Sequence, residues 1–162
     1  MKEWEKDKAG SDVYIPEIKQ ILGLHLIGEP DIAEDQERNT DLIVLKLDAV
    51  RIACRVRTNY YLTARNYRNE FTIRSGRPSG AKTELSKVIE GWGDYMFYGF
   101  GNETETKLAR WHLFDLKVFR LSFARMAMQR GIPSQVPNHD GSSSFIPFEI
   151  NTFPSDFILA NG

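Results

Sequence analysis

The order of elements read from the sequence predicts an α/β (α+β) chain in which a mixed sheet is flanked by helices, αβββαβ followed by more helix and strand. Three observations carry that prediction. β-rich runs follow one another at residues 41–47, 50–57 and 70–74. A short helical segment at residues 83–90, with Thr83 placed to cap it, leads into an aromatic strand at residues 95–100. The chain has 162 residues and is 41% hydrophobic, enough to bury a sizeable single core without disulfide or metal staples.

In chain order, residues 1–12 alternate lysines with acids around Trp4 and read as a solvated lead-in, which leaves residues 13–162 as a single domain. Ile18, Ile21 and Leu22 stand at helical spacing, with Pro16 in the first turn and Gly23 near the end, so a helix is expected there. Residues 28–40 are acidic and poor in large apolar side chains, the composition of a surface loop. Residues 41–47 and 50–57 are separated only by Asp48-Ala49, the length of a tight hairpin turn. Within the second run Val50, Ile52, Cys54 and Val56 alternate with Arg51, Ala53, Arg55 and Arg57, so one face is apolar and the other largely arginine. A polar aromatic loop leads to the strand Glu70-Phe71-Thr72-Ile73-Arg74, and residues 76–80 break the chain. Residues 110–128 fit a strand into Leu113 followed by a helix from about Asp115 to Gln129, stopped by Gly131 and Pro133. Residues 145–150 form the last strand, which Pro147 assigns to a sheet edge.

No apolar run of about 18 residues and no basic-apolar leader is present, so a membrane span and secretion are not expected, and the expected location is the cytoplasm. Cys54 is the single cysteine, and His25, His112 and His139 are far apart, which removes an internal disulfide and the usual zinc patterns. Phosphate-loop, dinucleotide and serine-elbow motifs are absent. A net charge of −1, from 21 basic and 22 acidic side chains, conceals a strong partition. Residues 1–50 carry −6, residues 51–77 carry +6 and residues 78–162 carry −1. Every basic residue in the middle block is an arginine: Arg51, Arg55, Arg57, Arg65, Arg68, Arg74 and Arg77.

Guanidinium groups bind phosphates with two parallel bonds, and tyrosines stack on bases. The arginine block, interleaved with Tyr60, Tyr61 and Tyr67, therefore reads as a nucleic-acid surface, with DNA as the expected polymer. The alternative is a non-enzymatic interaction domain, in which this face receives an acidic protein or the acidic first third of a second copy in a homodimer.

One family shares this order. A helix bearing Glu17, then Asn39-Thr40-Asp41-Leu42-Ile43-Val44-Leu45, then Arg51-Ile52-Ala53-Cys54-Arg55-Val56-Arg57 resembles the core of the PD-(D/E)XK nuclease superfamily over residues 14–100. The resemblance implies a restriction-endonuclease-like αβββαβ core and metal-dependent endonucleolytic cleavage, with Glu17 and Asp41 holding Mg²⁺. Arg55 and Arg57 would then hold the scissile phosphate. The family's acid-x-Lys slot, however, reads Arg55-Val56-Arg57 here. A guanidinium in place of a ligand repels the metal: a unit charge 4 Å from another costs about 4 kcal/mol at an effective dielectric of about 20, and a divalent ion roughly doubles it. Arginine also cannot act as a general base. Cleavage would need a migrated acid, for which Glu70 and Glu84 are the nearest candidates. The expected catalytic site is accordingly altered or lost.

Overall fold

The chain divides where its charge changes sign. Residues 1–50 form one compact unit and residues 51–162 a second, which separates the acidic block from the arginine block. The structure, a computed structural model, describes residues 12–28, 43–44, 50–64, 67 and 69–162.

The first unit contains helix α1 (Ile15–Leu26), with Glu17 in its first turn. Two short strands, β1 (Ile27–Gly28) and β2 (Ile43–Val44), pair antiparallel. The helix expected around Ile18 is present, and Ile18 and Tyr14 are buried. Residues 1–11 of the lead-in, nearly all of the expected acidic loop, Asp41 and the turn Asp48-Ala49 lie outside the described residues. Strand β2 takes β1 as its partner, and the turn and most of the first strand of the hairpin expected between residues 41–47 and 50–57 lie outside the described residues.

The second unit runs β3 (Ile52–Arg57), α2 (Asn59–Thr63), β4 (Glu70–Gly76), α3 (Glu84–Ile89), β5 (Tyr95–Gly101), β6 (Leu108–Asp115), α4 (Leu116–Arg130), β7 (Val136–Pro137) and β8 (Ser144–Glu149). Two 3₁₀ turns, Ile150–Thr152 and Ser155–Phe157, lead into β9 (Ile158–Asn161). A four-stranded mixed sheet has the order β3-β5-β6-β9, and an antiparallel three-stranded sheet has the order β4-β8-β7. Strand β3 runs parallel to β5, with Cys54 opposite Phe97, and the remaining pairs are antiparallel. A parallel neighbour needs a long crossover, and residues 58–94 provide one through α2, β4 and α3. The mixed sheet with helices beside it is the class the sequence predicts.

Helix boundaries follow local chemistry. The Asp115 carboxylate accepts from the amides of Lys117 and Val118, at 2.7 and 3.1 Å, capping α4. The helix stops at Gly131, whose φ of 81° a side chain would strain. The Thr83 hydroxyl accepts from the Ser86 amide and caps α3 as expected.

Strand β8 departs from expectation, since it lies in the middle of its sheet and not at an edge. Pro147 stands opposite Thr72, whose amide donates to the Tyr98 hydroxyl at 3.2 Å and so points away from β8. The pair is thus a non-hydrogen-bonded one, and Pro147 lacks an N–H only on the side facing β7. That side carries no ladder at this position, because β7 pairs only with Phe145 and Ser144.

One face of the four-stranded sheet meets β4, β8 and α4 around an aromatic core. Phe71 is its centre, in contact with Tyr98, Phe114, Phe119, Phe148, Phe153 and Phe157. The Phe114 and Phe157 rings stack at 4.4 Å, and all these residues are buried. Stacked and edge-on aromatic pairs add about 0.5–1.5 kcal/mol each beyond the area they bury. The register decides which way β3 faces. Ala53, Arg55 and Arg57 lie opposite Met96, Tyr98 and Phe100, all three core residues, so the arginine face of β3 is the face turned toward the core layer.

Candidate functional site

The arginines of β3 are held by acids from the elements facing them. Arg55 Nη1 lies 2.8 Å from Glu84 Oε2 in the first turn of α3, and the same oxygen accepts from the Arg74 amide of β4 at 3.1 Å. One row along, Arg57 Nη1 is 3.6 Å from Glu70 Oε1 at the start of β4, within ion-pair range but too long for a hydrogen bond. Between these pairs the buried Tyr98 hydroxyl bonds both the amide and the hydroxyl of Thr72. The two sheets are therefore stitched along β3 and β4 by a polar seam of Glu84–Arg55, Thr72–Tyr98 and Arg57–Glu70.

Arg57 is the unusual member. Its side chain is 10% exposed and that of Glu70 12%, and its guanidinium carbon sits 3.4 Å over the Tyr61 ring. Nη1 is fully buried and has no hydrogen-bond acceptor. Glu70 is pushed above the usual carboxylate range by burial, against the lowering pull of Arg57 and with a smaller push from Glu149, its partner across the ladder. Burial outweighs the ion pair because the pair is long. Around Arg57 lies a cleft of about 230 Å³, lined also by Arg55, Thr58, Tyr61, Thr72, Asn138 and Phe145.

Tyr61 is positioned by α2, which the sequence reading treats as loop. Glu105 Oε1 accepts from the Asn59 amide at 2.6 Å, and the Asn59 side chain donates to the Gly101 carbonyl at 3.2 Å, which anchors α2 on β5 and the turn that follows it. Tyr60 and Tyr67 each meet Tyr61 edge-on, with centroids 5.2 and 5.8 Å away. Tyr60 is 64% exposed and Tyr67 38%, so both rings retain surface for a stacking partner.

The other expected residues are scattered. Arg51 is exposed beside Trp92, with its guanidinium carbon 5.8 Å from that ring, and its amide donates to Asp94. Arg77 is exposed beyond the end of β4, while Arg74 is half-buried. Arg65, Arg68 and Asp41 lie outside the described residues, and Glu17 belongs to the first unit. The second unit thus brings Arg55, Arg57, Glu70 and Tyr61 together, joined by Glu84, Thr72 and Asn138.

Among the described residues no three His, Cys, Asp or Glu side chains converge as a metal site would require. Glu70 and Glu84, the candidate migrated acids, each face a guanidinium, and a cation beside each carboxylate opposes a second cation there. The acids placed here do not fit a Mg²⁺ centre, and no hydrolytic step follows from them. No helix among the described residues is long and apolar enough to cross a membrane.

No family model, curated protein or solved structure matches the chain.

Proposed function

We propose that the second unit binds nucleic acid by holding backbone phosphate in the Arg57 cleft, on a nuclease-like scaffold whose catalytic slot has been converted to phosphate binding. One observation carries this reading: the Arg57 side chain is nine-tenths buried and fixed over Tyr61 at a cleft lined by Thr58, Thr72 and Asn138, and the acid that faces it, Glu70, stands 3.6 Å from Nη1, too far for a hydrogen bond. A guanidinium whose acid partner is this distant gains from a further anion, and a phosphate oxygen in the cleft would give it a charge-assisted bond. The second unit carries 15 basic and 10 acidic side chains, a net +5, so its field favours a polyanion.

The test is fluorescence anisotropy with labelled single- and double-stranded DNA and RNA across a salt series. Wild-type affinity should fall steeply with salt, and Arg57→Ala should bind more weakly on every sequence. A flat salt dependence, or equal binding by Arg57→Ala, overturns the reading. A parallel incubation with Mg²⁺ or Mn²⁺, beside Asp41→Ala, decides the catalytic half: cleavage that depends on Asp41 would restore an active nuclease.

A second reading rests on the opposite charges of the two units, −6 and +5. Two copies could exchange acidic and basic surfaces as a symmetric dimer. Sedimentation at low and high salt, without nucleic acid, tests it, and a monomer at every salt concentration rejects it.

A further inference from the structure

A cavity of about 760 Å³ shares α2 with the arginine cleft, Leu62 lining the cavity and Tyr61 the cleft. Leu62, Ile150, Phe153 and Ile158 give it apolar walls, and the exposed Asn69 and Asn161 stand among its lining residues. Among the described residues no Asp or Glu side chain lines it. The feature that sets it apart is His112. This residue is only 5% exposed, its ring is stacked on Phe114 at 5.5 Å, and neither ring nitrogen has a hydrogen-bond partner. An apolar cavity with one convergent, unsatisfied polar group is the usual form of a small-ligand site.

The sheet register places this group with respect to Arg57. Arg57 lies opposite Phe100, which lies opposite Arg110, so Arg57 and Arg110 share one row and one face of the sheet. Two strand spacings put their backbones about 10 Å apart. His112 follows on the same face, two residues along β6, and Arg110 and His112 both line the cavity. A neutral imidazole offers one donor and one acceptor, the complement of a base edge, while the apolar walls suit its faces.

We propose that this cavity receives a single unpaired base of a nucleic-acid strand, with His112 bonding its edge; the proposal rests on the reading of the Arg57 cleft as the phosphate site. The preferred polymer is therefore single-stranded, or a duplex with an extruded base.

The experiment uses the full chain with ¹⁵N-labelled histidine, titrated with adenosine, guanosine, cytidine and uridine, which lack phosphate. One or more of these should shift the His112 ring nitrogens. His112→Phe keeps a ring against Phe114 and removes the two unsatisfied nitrogens, so it should unfold at an equal or higher temperature. It should bind a single-stranded oligonucleotide about tenfold more weakly, the loss expected for one base contact. Arg57→Ala should weaken oligonucleotide binding yet leave the nucleoside shifts intact. Unmoved His112 resonances, or wild-type oligonucleotide affinity in His112→Phe, overturn the base site even where Arg57→Ala upholds the phosphate site. Wild-type oligonucleotide affinity in Arg57→Ala, with the His112 nucleoside shifts retained and oligonucleotide binding weakened in His112→Phe, removes the phosphate site and leaves the base site standing.

Discussion

Tyr61 covers one face of the Arg57 guanidinium and Glu70 approaches its edge at 3.6 Å. A side chain so confined has lost its rotamer freedom before any ligand arrives, which lowers the entropic cost of binding. Lysine has neither the planar fork nor the flat face that rests on Tyr61, so Arg57→Lys should weaken binding almost as much as Arg57→Ala in the same anisotropy assay. Tyr98 has a different part. Its hydroxyl serves the buried Thr72 amide, so Tyr98→Phe should lower stability by about 1–3 kcal/mol in urea denaturation and leave oligonucleotide affinity unchanged. His112 is lowered to about 4, first by burial and then by the charge of Arg110. Its folded-state value lies below its unfolded one, so the unfolded chain binds the extra proton. The stability associated with neutral His112 is present above about pH 6.5 and is lost progressively as pH falls toward 4, roughly 3 kcal/mol in all. Urea midpoints measured from pH 7 to pH 4 should show this slope in wild type and a smaller one in His112→Phe. The spacing of the three histidines, which excludes the usual zinc patterns, carries no sign of this, because burial at position 112 depends on what lies against β6.

Strand β3 shows how far periodicity reaches at the scale of the element. The alternation of apolar residues and arginine defines two faces of one strand, and those faces exist. It assigns the apolar face to the core on hydropathy alone, whereas the register turns Ala53, Arg55 and Arg57 toward the core layer, where acids of β4 and α3 neutralise the arginines. Glu84 restrains Arg55 from the start of α3. Glu84→Gln removes that charge while keeping an acceptor for the Arg74 amide, and should raise oligonucleotide affinity several-fold at low salt by anisotropy. Helix α4 was legible almost to the residue, since its Asp115 cap and its Gly131 stop are local signals. Asp115→Ala should cost about 1 kcal/mol in urea denaturation through the loss of two amide partners. By contrast, α2 was not legible: five residues, Asn59–Thr63, carry no hydrophobic period, and Glu105, far along the chain, anchors the segment. Pro147 misled in the same way, because its effect depends on whether a neighbour occupies one side of β8.

For the whole molecule, the net charge of −1 averages two units of opposite sign, and the proposed binding to a polyanion rests on the second. The logarithm of the association constant should fall linearly with the logarithm of salt, and Arg57→Ala should reduce that slope by about one phosphate contact. Local sequence alone set the class of fold, the arginine-rich character of residues 51–77 and the ends of α4, because composition, alternation and capping act over a few residues. Tertiary structure decided which arginines are held by acids, which one lies over Tyr61 at a cleft, and that His112 lies beside a cavity. Those properties depend on pairing between strands distant in sequence: β3 meets β5 and faces β4, and β6 turns His112 to the same side. Burial and electrostatic environment are set by such neighbours, and no local pattern encodes which neighbours they will be.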